Sequence, residues 1–159
     1  MKRTLVLLLV IIMAFATLGS CRRKEQGDSR VVKVAVITAL SGTSIRMSEI
    51  YDAAIKAAMK AIEEDGLLQH GYTLEFHWVD DRGTVDGAPP AANLALDQHR
   101  CHVSIGHYLT IQILASGSFF EERRVPLLGI VSGPAAVAQG FNYFSMATAT
   151  DLFQADTLL

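Results

Sequence analysis

What this chain lacks narrows its chemistry first. No glycine-rich phosphate loop ends in Lys-Ser or Lys-Thr, no Gly-x-Ser-x-Gly elbow occurs, and no dinucleotide fingerprint follows the first strand-like run. Excess positive charge is missing too: 14 Lys and Arg stand against 16 Asp and Glu, a formal net charge of −2. Nucleic-acid binders present a basic face to phosphates, so that class is not expected. Cysteine is scarce, with only Cys21 and Cys101. A disulfide framework cannot hold such a chain, which must rely on an apolar core. His99, Cys101 and His102 could be imagined as metal ligands, but no second cluster supplies the remaining positions. In a strand, residues 101 and 102 would face opposite ways. We therefore expect no metal and no cofactor.

What is present begins at the N-terminus. Lys2 and Arg3 precede an apolar run over residues 4–18, and Leu18-Gly19-Ser20-Cys21 closes it. A basic start, an apolar middle and small residues before a cut make a signal peptide of residues 1–20. The four closing residues resemble a bacterial lipobox, which implies cleavage before Cys21 and diacylglycerol on its sulfur. A plain signal peptide and a retained anchor are the alternatives. The anchor is weakened because the run is shorter than the ~20 apolar residues a spanning helix needs. Residues 21–30 then read as a lipidated tether whose Arg22-Arg23-Lys24 would lie against anionic headgroups.

Removing residues 1–20 leaves 12 basic side chains against 16 acidic ones, a net charge of −4. The remaining 139 residues suffice for one domain, residues 31–159. With Cys21 lipidated, Cys101 has no intrachain partner and reads as a buried, inert thiol.

Val31 to Ile37 is β-branched and reads as a strand buried on both faces. Ile50, Ala54, Ala57, Ala58, Ala61 and Ile62 then recur at helical spacing, and Gly66 supplies a stop. That alanine-rich face predicts close approach of helix to sheet. Further strands are expected at Tyr72–Val79, Val103–Gly106, Val125–Val131 and Phe141–Met146. Helices are expected at about Pro89–Gln98, Thr110–Arg123 and from Asp151 onward. The alternation predicts an α/β fold: a doubly wound, mostly parallel sheet with helices on both faces. Asp151 to Leu159 looks like a helix just begun, as though the chain were cut in mid-fold.

In open α/β sheets ligands bind at the carboxyl ends of the strands. Three loops there carry small polar residues: Ser41-Gly42-Thr43-Ser44, Tyr108-Leu109-Thr110 and Ser132-Gly133-Pro134. Helix starts expose free N–H groups that attract carboxylates, so the three together suggest a binding cleft. Asp80-Asp81 follows the second strand and reads first as a cap for its turn, with acid–base chemistry as the alternative.

The segments Val32–Gly42, Ala53–Glu64, Leu74–Asp81, Ile105-Gly106-His107 and Val125-Pro126-Leu127 together resemble the Leu/Ile/Val-type periplasmic binding proteins, first lobe only. These are the substrate-binding receptors of ABC transporters. The resemblance implies two lobes closing on an amino acid, amide or similar small solute, which a membrane permease then receives. It places ligand contacts at Ser41, Gly42, Thr110, Val131, Ser132 and Gly133, with Thr110 holding a carboxylate, and Tyr108 joins them from the loop composition. Met47 stands where many relatives carry an aromatic residue.

The reading is a solute-binding receptor rather than an enzyme. Its partners are a small solute, a permease and the bilayer through Cys21, at a periplasmic or extracellular face. Two rivals stand beside it: a stand-alone lipid-anchored interaction or regulatory module, and a small exported hydrolase using Asp80 or Asp81 with a histidine.

Overall fold

A computed structural model describes residues 30–66, 68 and 71–157. The signal peptide, the lipidation of Cys21 and most of the tether lie outside the described residues, as does Leu158-Leu159.

Among the described residues five strands form one sheet: β1 (Arg30–Thr38), β2 (Tyr72–Asp80), β3 (Val103–Ile105), β4 (Leu127–Gly129) and β5 (Phe144–Met146). Their order is β2-β1-β3-β4-β5, and every neighbouring pair is parallel. The helices between them are α1 (Arg46–Glu64), α2 (Ala88–Asn93), α3 (Thr110–Arg123), α4 (Pro134–Val137) and α5 (Asp151–Asp156). The last turn of α2 widens into a π-helical turn over Leu94–Gln98. The α/β, doubly wound reading therefore holds. The shorter strands begin or end inside their expected spans, β4 shrinking from Val125–Val131 to three residues.

Position in the sheet explains the composition of each strand. β1 lies between β2 and β3, and Val34, Ala35, Val36 and Ile37 are at most 5% exposed. One face of the sheet, carrying Ala35, Ile37, Val79 and Leu127, packs with Ala91, Ala92 and Ala95 of α2 and Ile113 and Phe120 of α3. Small side chains on α2 let its backbone approach the sheet closely. Cys101 belongs to this core, and burial pushes its thiol pKa up, which favours the unreactive form.

The other face carries α1, and here the sequence reading needs correcting. Ala54, Ala57 and Ala58 are exposed, and Ile50 is 59% exposed. Tyr51 is the buried residue of α1, and Ile55, Met59 and Ile62 share its side of the helix. The buried stripe is rotated by about one residue, or 100°, from the alanines. Its long side chains hold the helix away from the strands. A cavity of about 260 Å³ remains between Ile55, Met59 and Ile62 on one side and Val34, Phe76, Ile105 and Leu128 on the other. Beyond α1 this face is open, and Leu128 and Ile130 are each 37% exposed.

Candidate functional site

The chain leaves β1 toward β2 on one side and later returns to place β3 on the other. The loops after β1 and β3 therefore diverge, which is where open α/β sheets form a ligand crevice. The loop after β1 is held by Asp80 at the end of β2. Asp80 Oδ1 accepts the N–H groups of Leu40 at 2.9 Å and Arg82 at 2.8 Å, and Oδ2 accepts the Ser41 hydroxyl at 2.5 Å. Desolvation raises the Asp80 pKa, but these donors outweigh it and leave the carboxyl below its ordinary range. Asp80 does cap a turn, as expected, and it also fixes the neighbouring loop.

Asp81 does something different. It is fully buried; Oδ1 accepts Gly83 N–H at 2.9 Å and Oδ2 lies 2.6 Å from His107 Nδ1. The other ring nitrogen, His107 Nε2, lies 3.0 Å from Ser116 Oγ, and Ser116 donates to the Gln112 carbonyl at 2.8 Å. Asp81, His107, Gln112 and Ser116 are all 0% exposed. The order of contacts is that of a hydrolytic triad. However, a serine oxygen with no exposed surface, bonded back into its own helix, gives a substrate nothing to reach.

Above this layer lies α3. Its N-cap is Leu109, which has no side-chain acceptor to offer the first turn. Gln112 Oε1 accepts Leu109 N–H at 3.3 Å, and the Gln112 N–H bonds the Leu109 carbonyl at 3.0 Å. Among the described residues, the N–H groups of Thr110 and Ile111 have no hydrogen-bond acceptor. A helix of 14 residues thus ends at the crevice with two free donors and the positive end of its dipole.

The structure brings several of the expected site residues together. Gly133 abuts the Thr110 side chain, so closely that a Cβ at 133 would collide with the hydroxyl. Gly83 faces the Tyr108 hydroxyl and Ser44, where an added Cβ would come within 3.0 and 3.1 Å. The loops after β1, β2 and β3 therefore meet at Tyr108, and those after β3 and β4 meet at Thr110. Other expected residues are already engaged. The Ser41 hydroxyl is bound to Asp80; Gly42 sits beside the Arg82 carbonyl; Val131 is buried and its carbonyl accepts the Thr148 hydroxyl. The Ser132 carbonyl accepts Asp151 N–H at 2.9 Å, which ties α5 to the loop after β4.

The imagined metal set is dispersed. His99 stacks on His77 with ring centroids 4.6 Å apart, His102 Nδ1 accepts Lys33 N–H at 3.0 Å, and Cys101 faces the core. Among the described residues no group of three or more His, Cys, Asp or Glu is placed to hold a metal ion. Nor is any described helix long and apolar enough to cross a membrane.

Sequence reasoning missed Tyr51, Asp81 as a buried anchor, His107, Gln112 and Ser116. Tyr51 is 4% exposed and its hydroxyl has no partner among the described residues. Burial pushes its phenol pKa well above the ordinary range, and the nearby Asp81 and Tyr108 add to the effect. Nothing in a single sequence flags these positions, because the partners lie in separate loops.

The sequence profile of the family described as periplasmic binding protein matches residues 31–158. The chain belongs to the periplasmic binding protein family. Solved structures agree with that placement. The leucine-binding protein LivK of Thermotoga maritima is 27% identical with a TM-score of 0.64, over 80% of this chain and 35% of that one. An ABC transporter substrate-binding protein from Desulfitobacterium hafniense superposes with a TM-score of 0.69 at 17% identity, over 81% of this chain and 37% of its own. A solute-binding protein of an ABC transporter from Rhodopseudomonas palustris, in complex with 3,4-dihydroxybenzoic acid, gives 0.63 at 21% identity, over 76% and 32%. The chain spans about a third of the length of these relatives. Comparison with curated proteins finds no match.

Proposed function

We propose that this chain is the first lobe of an exported, lipid-anchored solute receptor that serves an ABC-type permease. Its solute is an amino acid, an amide or another small molecule with an anionic group. The observation that carries the reading is the uncapped start of α3, where Thr110 and Ile111 offer free N–H groups beside the Thr110 hydroxyl. A carboxylate placed there would receive two backbone donors, one hydroxyl and the helix dipole, each a stronger partner for an anion than for a neutral group. The relatives support the solute class: one is named for leucine and another holds a dihydroxybenzoate, and both ligands carry a carboxylate. Family membership supports export, and the lipobox-like residues before Cys21 support the anchor.

In this reading a second lobe supplies the other half of the site, and closure of the two excludes water. Calorimetry tests it with leucine, short amides and 4-hydroxybenzoate. Protein extended by whatever the reading frame encodes after Leu159 should bind one of them in the micromolar range. The 159-residue chain alone should bind beyond millimolar, because each charge-assisted bond lost costs ~1.5–3 kcal/mol. Micromolar binding by the lone chain would instead identify a complete one-lobe binder.

One observation favours the interaction module: the open sheet face with Leu128 and Ile130, next to the exposed Ile50 of α1. Apolar surface of that kind takes a protein partner or more chain. Absence of solute binding by the extended protein as well as by the 159-residue chain would support that alternative.

A further inference from the structure

The buried polar side chains behind the crevice make no contact with open solvent, yet among the described residues they supply every side-chain hydrogen bond that holds the ligand loop. We propose that His107 is the positioning residue of the Tyr108–Thr110 loop. Held between Asp81 at the end of β2 and Ser116 on α3, it sets where the solute-binding groups stand in the crevice. The proposal rests on reading that crevice as the solute site.

His107 is fixed through both ring nitrogens, at 2.6 Å to Asp81 and 3.0 Å to Ser116, and its carbonyl accepts Ile130 N–H at 3.2 Å. Five residues on, Gln112 binds Leu109 N–H at 3.3 Å and the Thr84 carbonyl at 3.2 Å. Tyr108 and Thr110 lie between these two anchors and make no other hydrogen bond outside helix α3 among the described residues. Asp81 reaches the loop a second way, since its other oxygen holds Gly83, which packs against the Tyr108 hydroxyl. One buried carboxylate thus references both His107 and Tyr108 to the end of β2.

The chemistry of each group fits a clamp. A carboxylate accepts from Nδ1–H, so Nε2 turns its lone pair toward Ser116, whose single hydroxyl proton is shared between Nε2 and the Gln112 carbonyl. Ser116 lies on α3, six residues beyond Thr110, so the ring also fixes the height of that helix relative to β2. Breaking the link at His107 leaves Asp81 Oδ2 buried without its partner, while Ser116 keeps the Gln112 carbonyl, and the loop is the element free to move in response.

NMR-detected hydrogen exchange on the full chain tests this without any solute. In His107→Leu, the hydrogen-bonded amides of Leu109, Gln112 and Ile113 should exchange about tenfold to a hundredfold faster, while Val34–Ile37 of β1 keep their protection. Asparagine places a nitrogen at the Nδ1 position and can keep the Asp81 bond; glutamine reaches only the Nε2 position. His107→Asn should therefore hold loop exchange within about threefold of the parent, and His107→Gln should not. In the parent, the imidazole ¹⁵N spectrum should show the proton on Nδ1. Unchanged loop exchange, equal loosening of loop and β1, or equal behaviour of the Asn and Gln variants would each overturn the assignment. If His107→Leu does not fold, the Asn and Gln pair decides alone. Calorimetry of the protein extended past Leu159 stays a separate arm: no solute binding there would defeat the receptor reading and leave the exchange result standing.

Discussion

Replacing Gly133 by alanine should drive apart the two loops that meet at Thr110. Gly133 has φ −68° and ψ 125°, a conformation open to any L-residue, so the effect is steric alone. The new Cβ would collide with Thr110 Oγ1, and would lie 2.9 Å from Cγ2 and 3.0 Å from Cβ. Rotating χ1 of Thr110 merely exchanges which γ atom is struck, because the Cβ itself is already too close. The loops after β3 and β4 must separate, and overpacking of this kind costs ~1–3 kcal/mol. In a domain of this size that lowers Tm by about 3–10 °C. Thr110→Ala alone removes a half-buried side chain with no hydrogen bond and should cost less than ~1 kcal/mol. The double variant loses both γ atoms and with them most of the collision, so the two changes should couple by ~1–2 kcal/mol. Urea and thermal unfolding of the four proteins give the cycle. Additivity within ~0.5 kcal/mol would mean that Thr110 and Gly133 do not touch, and the site would lose its central contact.

Three further outcomes are expected. Thr110→Val in the two-lobe receptor should weaken solute binding about ten- to a hundredfold by calorimetry, the cost of one hydrogen bond to a charged group; an unchanged Kd removes Thr110 from the site. Tyr51 holds its proton more tightly folded than unfolded, so its contribution is complete below about pH 10, the unfolded value, and declines as pH rises above it. Tyr51→Phe, which also deletes an unpartnered buried hydroxyl, should match or exceed the parent stability at pH 7 and flatten the alkaline decline by one proton; parallel stability curves from pH 9 to 11 would contradict this. Radiolabelled palmitate fed to expressing cells should enter the protein through Cys21, and Cys21→Ala should abolish the label, whereas equal labelling would end the lipoprotein reading.

The fold was legible because its signals are local. Val34–Ile37 form an unbroken apolar run, which only a strand covered on both faces sustains, and the polar punctuation after each strand marks the crossovers. The face of α1 was misread because alanine counts as apolar without needing burial, while Tyr51 counts as polar yet is the residue most deeply set. In the crevice, Thr110 and Gly133 were singled out as small polar residues at strand ends, and their contact required the structure. The layer beneath was invisible: Asp81 and His107 lie 26 residues apart, and His107 and Ser116 nine, spacings that match no helical or strand period. Asp81 even carried a sufficient local explanation as a turn cap, which hid its partner across the sheet.

The central claim is that the start of α3 receives the anionic group of a small solute. A ¹⁵N-labelled form beginning at Arg22, titrated with leucine and with 4-hydroxybenzoate, tests it most directly, since NMR detects even the weak binding expected of one lobe. The account predicts that the amide signals of Thr110 and Ile111 move first and furthest, with Ser132 and Gly133 following. Saturable shifts confined to other loops, or none at any accessible solute concentration, would contradict it.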